Sequence, residues 1–278
     1  MSAATALSVP RLAEHGKVTQ ARVVLSEWTK LHTLRSTRWS LLAASVLTIG
    51  LPLLFASVLS SRWGHMSPQE RAGHHHAPLN VALAGVNVSQ LAIAVLGVLV
   101  LTGEYATGMI RATFSAVPRR LPVLWAKTVV YALVAFALML PSVVIAFFAS
   151  QAILARHDIE QISFSHPGVA RTVIGGAVYL MLVGIFALAV GAIVRNTAGG
   201  IATFAAIFFV IPPLLNVLPT SWNNAINPYL PDSAGRSIFS LTHGAHSLAP
   251  APGLAVFCGY TALVVAIAAV LLVRRDTQ

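Results

Sequence analysis

Long apolar runs alternate with short polar segments along this chain. Six of the runs are long enough to cross a bilayer, which takes about 20 apolar residues. They cover residues 39–61, 81–101, 121–154, 169–194, 198–218 and 252–273. No alternation of period two competes with them, so every long element is expected to be helical. Pro52 lies inside the first run. Pro141 is expected to kink the third, and Pro212-Pro213 to bend the end of the fifth, because proline removes a helical N–H bond and crowds the preceding turn.

The polar segments differ in character. Residues 1–17 form a polar, Ala-rich tail, expected to be mobile, and they lack the apolar core and small-residue site of a signal peptide. Residues 18–38 show helical periodicity. Ala21, Val24, Leu25, Trp28, Leu31 and Leu34 recur on one side, and Arg22, Ser26, Thr29 and Thr33 on the other. This predicts an amphipathic helix lying in the membrane interface, or a plain helical lead-in to the first span.

Composition agrees with the pattern. Of 278 residues, 56% are hydrophobic and 9% charged, and the mean hydropathy is +0.78. Soluble domains carry about 25% charged residues. The chain is therefore read as an all-α polytopic membrane protein, with one six-span domain over 39–278 and no sizeable soluble domain. The net charge of +10 sits beside the apolar runs, where lipid headgroups and topology account for it better than nucleic acid does. The single cysteine, Cys258, rules out an intrachain disulfide.

Lysine and arginine placement sets the orientation. With the N-terminus in the cytoplasm, thirteen of the eighteen fall on the inner side and five on the outer side. Both termini are then cytoplasmic, and 62–80, 155–168 and 219–251 are outer loops.

The spans carry no Asp, Glu, Lys or Arg near their midpoints; Glu104 and Lys127 sit at span ends. Ion-driven transporters usually place carboxylates or histidines inside the membrane, so this pattern disfavours them. The one Gly-Lys pair, Gly16-Lys17, lacks the rest of a phosphate-binding loop. The chain is not expected to be an enzyme, and any ATP hydrolysis must come from another polypeptide.

The stretch 102–127, TGEYATGMIRATFSAVPRRLPVLWAK, stands out. It carries Arg111, Arg119, Arg120 and Lys127 against one acid, Glu104. Gly108 permits a tight turn, and Pro118 breaks any helix before the Arg119-Arg120 pair. Its cations either only fix topology or belong to a docking element for a cytoplasmic partner.

The order of elements carries a resemblance. A helix ending SEWTKLHTLRSTRW, a first span, GEYATGMIRATFSAVPRR after the second span and four further spans together resemble the permease subunit of ABC-2 type transporters. That family includes bacterial drug and polysaccharide exporters. The matching positions are Glu104, Gly108, Arg111, Pro118 and Arg120, with Met109 where relatives commonly place Thr. The resemblance implies that the coupling loop 102–120, including Tyr105 and Arg119, corresponds to the family's coupling helix, which seats in a groove of a separate ATPase subunit. It implies that ATP and Mg belong to that partner, and that a second permease subunit completes a dimer in a bacterial plasma membrane. It makes the opening helix an interfacial elbow, anchored at the headgroups by Trp28, Lys30, Arg35 and Trp39. The expected function is export of an amphipathic or apolar small molecule by alternating access. A secondary transporter with carbonyl-built ion sites and a scaffold recruiting a cytoplasmic protein are the alternatives.

The remaining features are read as structural. Eight of ten histidines fall in the outer loops, including His74-His75-His76, and are taken as solvated; no metal site is expected. Gly184, Ala187 and Gly191 share one face of the fourth span, expected to pack within the subunit or, more sharply, to form a dimer interface or a substrate-path wall. The 219–251 loop is a candidate re-entrant cap, and its Asp232 is too isolated to propose as a catalytic acid.

Overall fold

The computed structural model describes residues 19–72, 77–116, 120–241, 244 and 246–275. The 1–17 tail, His74–His76, Pro118, Arg119 and His243 lie outside them. Among the described residues the regular elements are all helical: α1 (Gln20–Thr33), α2 (Arg35–Trp63), α3 (Pro68–Ala72), α4 (Ala77–Ala106), α5 (Met109–Ala116), α6 (Arg120–Ala155), α7 (Val169–Val194), α8 (Thr197–Ala205), α9 (Ile211–Leu215), α10 (Thr220–Ile226), α11 (Pro231–Arg236) and α12 (Pro250–Arg274). Six stretches are long and apolar enough to cross a membrane: α2, α4, α6, α7, α12 and the composite 197–215. They match the six apolar runs, and the chain is a multi-pass membrane protein.

Helices α4 and α7 form the centre, with α2, α6 and α12 around them. Helix α7 is apolar on every side and buried along nearly its whole length, as expected of a helix surrounded by other helices. The backbones approach closely because small residues allow it. A Cβ on Gly97 of α4 would stand 2.4 Å from the Gly184 carbonyl oxygen, and one on Gly184 would stand 2.3 Å from the Tyr131 ring of α6. Gly191 backs in the same way onto Val98. The small-residue face of the fourth span is therefore filled by this chain's own helices, and Gly184 and Gly191 are not open to a second copy.

The prolines act locally. Pro52 cannot donate to the Thr48 carbonyl, and that oxygen is met by Gly85 of α4, where a Cβ would come within 2.4 Å. Thr48 and Ser89 bond each other across the same crossing at 2.7 Å. Helix α6 continues as one helix through Pro141. The Pro212-Pro213 pair has a larger effect, since both residues lack the N–H that would reach back four residues. Residues 206–210 widen into a π-turn, in which the Ile211 N–H reaches Ala206 O. The fifth span is thus α8, a π-turn and α9 in series. Phe204 and Phe208 stack at 4.3 Å within it, and both pack on Phe186 of α7.

The 219–251 region is folded. Helix α11 and the 3₁₀ turn after it pack against α7 and α12, where Gly175, Gly235 and Gly253 leave room for them. Arg171 ties the segment down through the Ser240 carbonyl at 3.1 Å. The segment packs back on the bundle and inserts polar side chains between the helices.

Helix α1 differs from the two-faced helix read from the sequence. Val23, Glu27 and Leu31, spaced by four, are buried against the protein. Leu25 and Trp28 are exposed apolar residues of the helix, as is Leu34 just past its end, and Arg22 and Thr29 are exposed on the polar side. The helix has three faces: protein, apolar exterior and polar exterior. Periodicity could not separate the first two, because both are rich in apolar residues.

Candidate functional site

The second span ends in the turn Thr107-Gly108, where Gly108 adopts φ +71°, a left-handed value that favours glycine. The chain then forms α5, eight residues long. Ile110 is buried, and Phe114 packs on a small apolar cluster of Val23, Val123 and Ala126 from α1 and α6. Met109, Arg111, Ala112 and Ser115 are exposed. Residues 102–120 are therefore not a plain loop. They hold a short amphipathic helix laid across the end of the bundle with Arg111 outward.

Beneath α5 lies a cluster of four charges. Lys127 of α6 donates to Glu27 Oε2 at 2.6 Å and to Glu104 Oε1 at 2.7 Å. Lys30 donates to Glu27 Oε1 at 2.8 Å, Glu104 Oε1 at 2.9 Å and the Thr113 hydroxyl at 3.3 Å. The Lys127, Glu27 and Glu104 side chains are 2%, 3% and 6% exposed, and Lys30 is 27% exposed. Two acids and two bases leave the tetrad neutral, which is the condition for burying charge at tolerable cost. Burial works to lower the Lys30 pKa. The hydrogen bonds and charges of Glu27 and Glu104 more than offset this and hold the ammonium above its ordinary 10.5. The tetrad joins α1, α4 and α6 directly and reaches α5 through Thr113.

A second set of bonds closes the same pole. Arg120 donates to the Leu272 and Arg275 carbonyls at 3.0 and 2.7 Å, satisfying the C-terminus of α12. It also lies over the Phe114 ring, 5.6 Å from its centroid. Arg275 donates to Ile193 O at 3.1 Å, and Arg195 lies over the Tyr105 ring at 5.3 Å.

The sequence-predicted residues thus divide. Glu104, Tyr105 and Arg120 are part of the internal architecture of this pole, Gly108 forms an exposed turn, and Arg111 is at the surface. Among the anchors named for the opening helix, Trp28, Arg35 and Trp39 are exposed, whereas Lys30 turns inward to the tetrad. Sequence reasoning missed Glu27. Its signal was available, since i±4 spacing places it between Val23 and Leu31 on one face. Lys127 also carried a signal, being a lone cation within an apolar run that must find a partner.

The far pole holds another buried polar group. The Tyr179 hydroxyl of α7 donates toward Asp232 Oδ1 at 3.0 Å and contacts Gln90 Oε1 of α4. Arg236 Nε pairs with Asp232 at 2.9 Å. Asp232, isolated in the sequence, is buried and partnered because α11 folds back into the bundle. No group of three or more potential metal ligands occurs among the described residues.

Comparison with protein-family models and with curated proteins finds no match for this chain.

Proposed function

We propose that this chain is the transmembrane permease subunit of an ABC-2 type transporter in a bacterial plasma membrane. It exports an amphipathic or apolar small molecule by alternating access, and ATP is hydrolysed on a separate cytoplasmic subunit. The observation that carries the reading is the mounting of α5. An exposed amphipathic helix sits between the second and third spans, and the buried tetrad links its supports to α1, α4 and α6. A force applied to α5 therefore reaches three elements through ionic contacts rather than through a slack loop. Coupling requires a partner that binds α5 differently in its two nucleotide states. Arg111, Met109 and Ser115 are the side chains placed to meet it.

Ion-driven transport is the weaker reading. Among the described residues, the carboxylate buried at the far pole is Asp232, and it is already paired with Arg236.

Affinity purification of the tagged chain from its native membranes tests the proposal. The expected result is a co-purifying ATPase whose hydrolysis is coupled to the permease. Arg111→Glu, at an exposed position, is expected to release the ATPase while leaving the permease's thermal stability unchanged. Recovery of the chain without an ATPase, or an R111E complex that hydrolyses ATP like wild type, would overturn it.

A further inference from the structure

At the pole opposite the tetrad, a cavity of about 310 Å³ opens beside α11, lined in part by Asn227, Ser233, Arg236, Ser237 and His246. This is room for several waters, or for a tetrahedral oxyanion with part of its hydration shell.

The donors around it are arranged for an anion. Arg236 is anchored on its inner side: its Nε pairs with Asp232 and the guanidinium also bonds Tyr179. Its side chain is still 41% exposed where it lines the cavity, so part of the five-donor guanidinium remains for a ligand. Burial tends to lower the Arg236 pKa, and Asp232 more than offsets this, so the guanidinium stays charged. Asn227 is oriented by its neighbour. Ser233 Oγ donates to Asn227 Oδ1 at 3.0 Å, which leaves the Nδ2 side of that amide as a donor. His246 adds a ring nitrogen. Ser233 and Ser237 add none, since they already spend their protons on Asn227 and on Ala234 O. Among the described residues Asp232 is the only acid acting on Arg236, and it is itself buried.

We propose that this cavity binds the oxyanion group, phosphate or carboxylate, of a small molecule or lipid. The Arg236 guanidinium is the main donor, and Asn227 and His246 assist. Asp232 positions Arg236 from behind and tunes the affinity, because it neutralises part of the charge that the ligand needs. Asp232 also contacts Tyr179, so occupancy of the cavity is felt at a side chain that bridges α11 to α4 and α7. The site is independent of the coupling reading, since it needs no ATPase to be measured.

The test uses the full-length chain in phosphatidylcholine nanodiscs, with binding followed by calorimetry and by thermal stabilisation. Three probes separate the sources: inorganic phosphate, dihexanoyl phosphatidate and uncharged dihexanoylglycerol. Phosphatidate binding far better than the glycerol assigns an anionic amphiphile. Binding of phosphate alone assigns a free oxyanion. Either supports the site provided Arg236→Gln weakens it about tenfold or more and Asp232→Asn strengthens it. The opposite signs of these two variants distinguish a ligand contact from a general loss of structure. If R236Q does not fold, Asn227→Ala carries the test, with an expected loss of severalfold. Equal binding of the uncharged glycerol, no binding of either anion, or identical affinities across wild type, D232N and N227A would overturn the proposal.

Discussion

Replacing Lys127 with Met keeps the length and apolar stem of the side chain and deletes one charge from the tetrad. Wild type buries Glu27 and Glu104 against Lys127 and Lys30. In K127M two carboxylates remain for one ammonium, and Glu27 Oε2 loses its 2.6 Å partner. Removing one member of a buried ion pair costs about 3–5 kcal/mol, because an uncompensated charge stays behind. For a chain of this size each kcal/mol moves the midpoint by about 2–4 °C, so K127M should melt roughly 6–20 °C lower. A second substitution, Glu27→Gln, restores neutrality by leaving one carboxylate and one ammonium. The double variant should therefore be more stable than K127M, although it lacks more hydrogen bonds. The assay is the loss of monodisperse protein in detergent after heating, read by fluorescence-detected size exclusion. Dye labelling of thiols is unsuitable, because Cys258 is the sole cysteine and is exposed in the native state. A K127M melt equal to wild type, or a double variant at or below the single, would refute the account of the tetrad as a charge-balanced buried cluster.

Two further substitutions separate fold from surface at the same pole and in the core. Arg120→Gln removes the guanidinium that satisfies the Leu272 and Arg275 carbonyls, at a cost of about 1–3 kcal/mol, and should speed amide hydrogen exchange in the last turn of α12. Unchanged exchange in that turn would show that the contact is not used. Gly184→Ala drives a methyl group into the Tyr131 ring, whose hydroxyl is fixed on the Ile93 carbonyl at 2.7 Å. Overpacking of this kind costs about 1–3 kcal/mol. A thermal midpoint equal to wild type would show that the α6–α7 contact can relax.

The six spans were legible because hydrophobic length is a sufficient criterion when every backbone polar group in lipid must be satisfied within a helix. The site was legible only in outline. Glu104, Gly108 and Arg111 stood out in a polar segment, and its resemblance to a coupling helix implied a helix there, yet the helix bounds and the inward turn of Glu104 were not visible. The reason is physical. In water an apolar stripe marks the buried face, whereas in a membrane both the lipid-facing and the protein-facing sides are apolar. Leu25 and Leu31 therefore look alike in α1, although one is exposed and the other buried. Polar residues break that ambiguity, since a charge in an apolar setting must face a partner. Glu27 between Val23 and Leu31, Lys127 among valines and alanines, and Glu104 at the end of α4 each required one. Together with Lys30 they sum to zero. Asp232 is the harder case. Its segment reads as an outer loop, and only the backward fold of α11, permitted where Gly235 and Gly253 remove side chains from its path, brings it to Tyr179. The partners of Lys127 could be sought by counting charges along the chain. The partner of Asp232 depends on a tertiary approach that no periodicity records, and so in the sequence this carboxylate reads only as isolated.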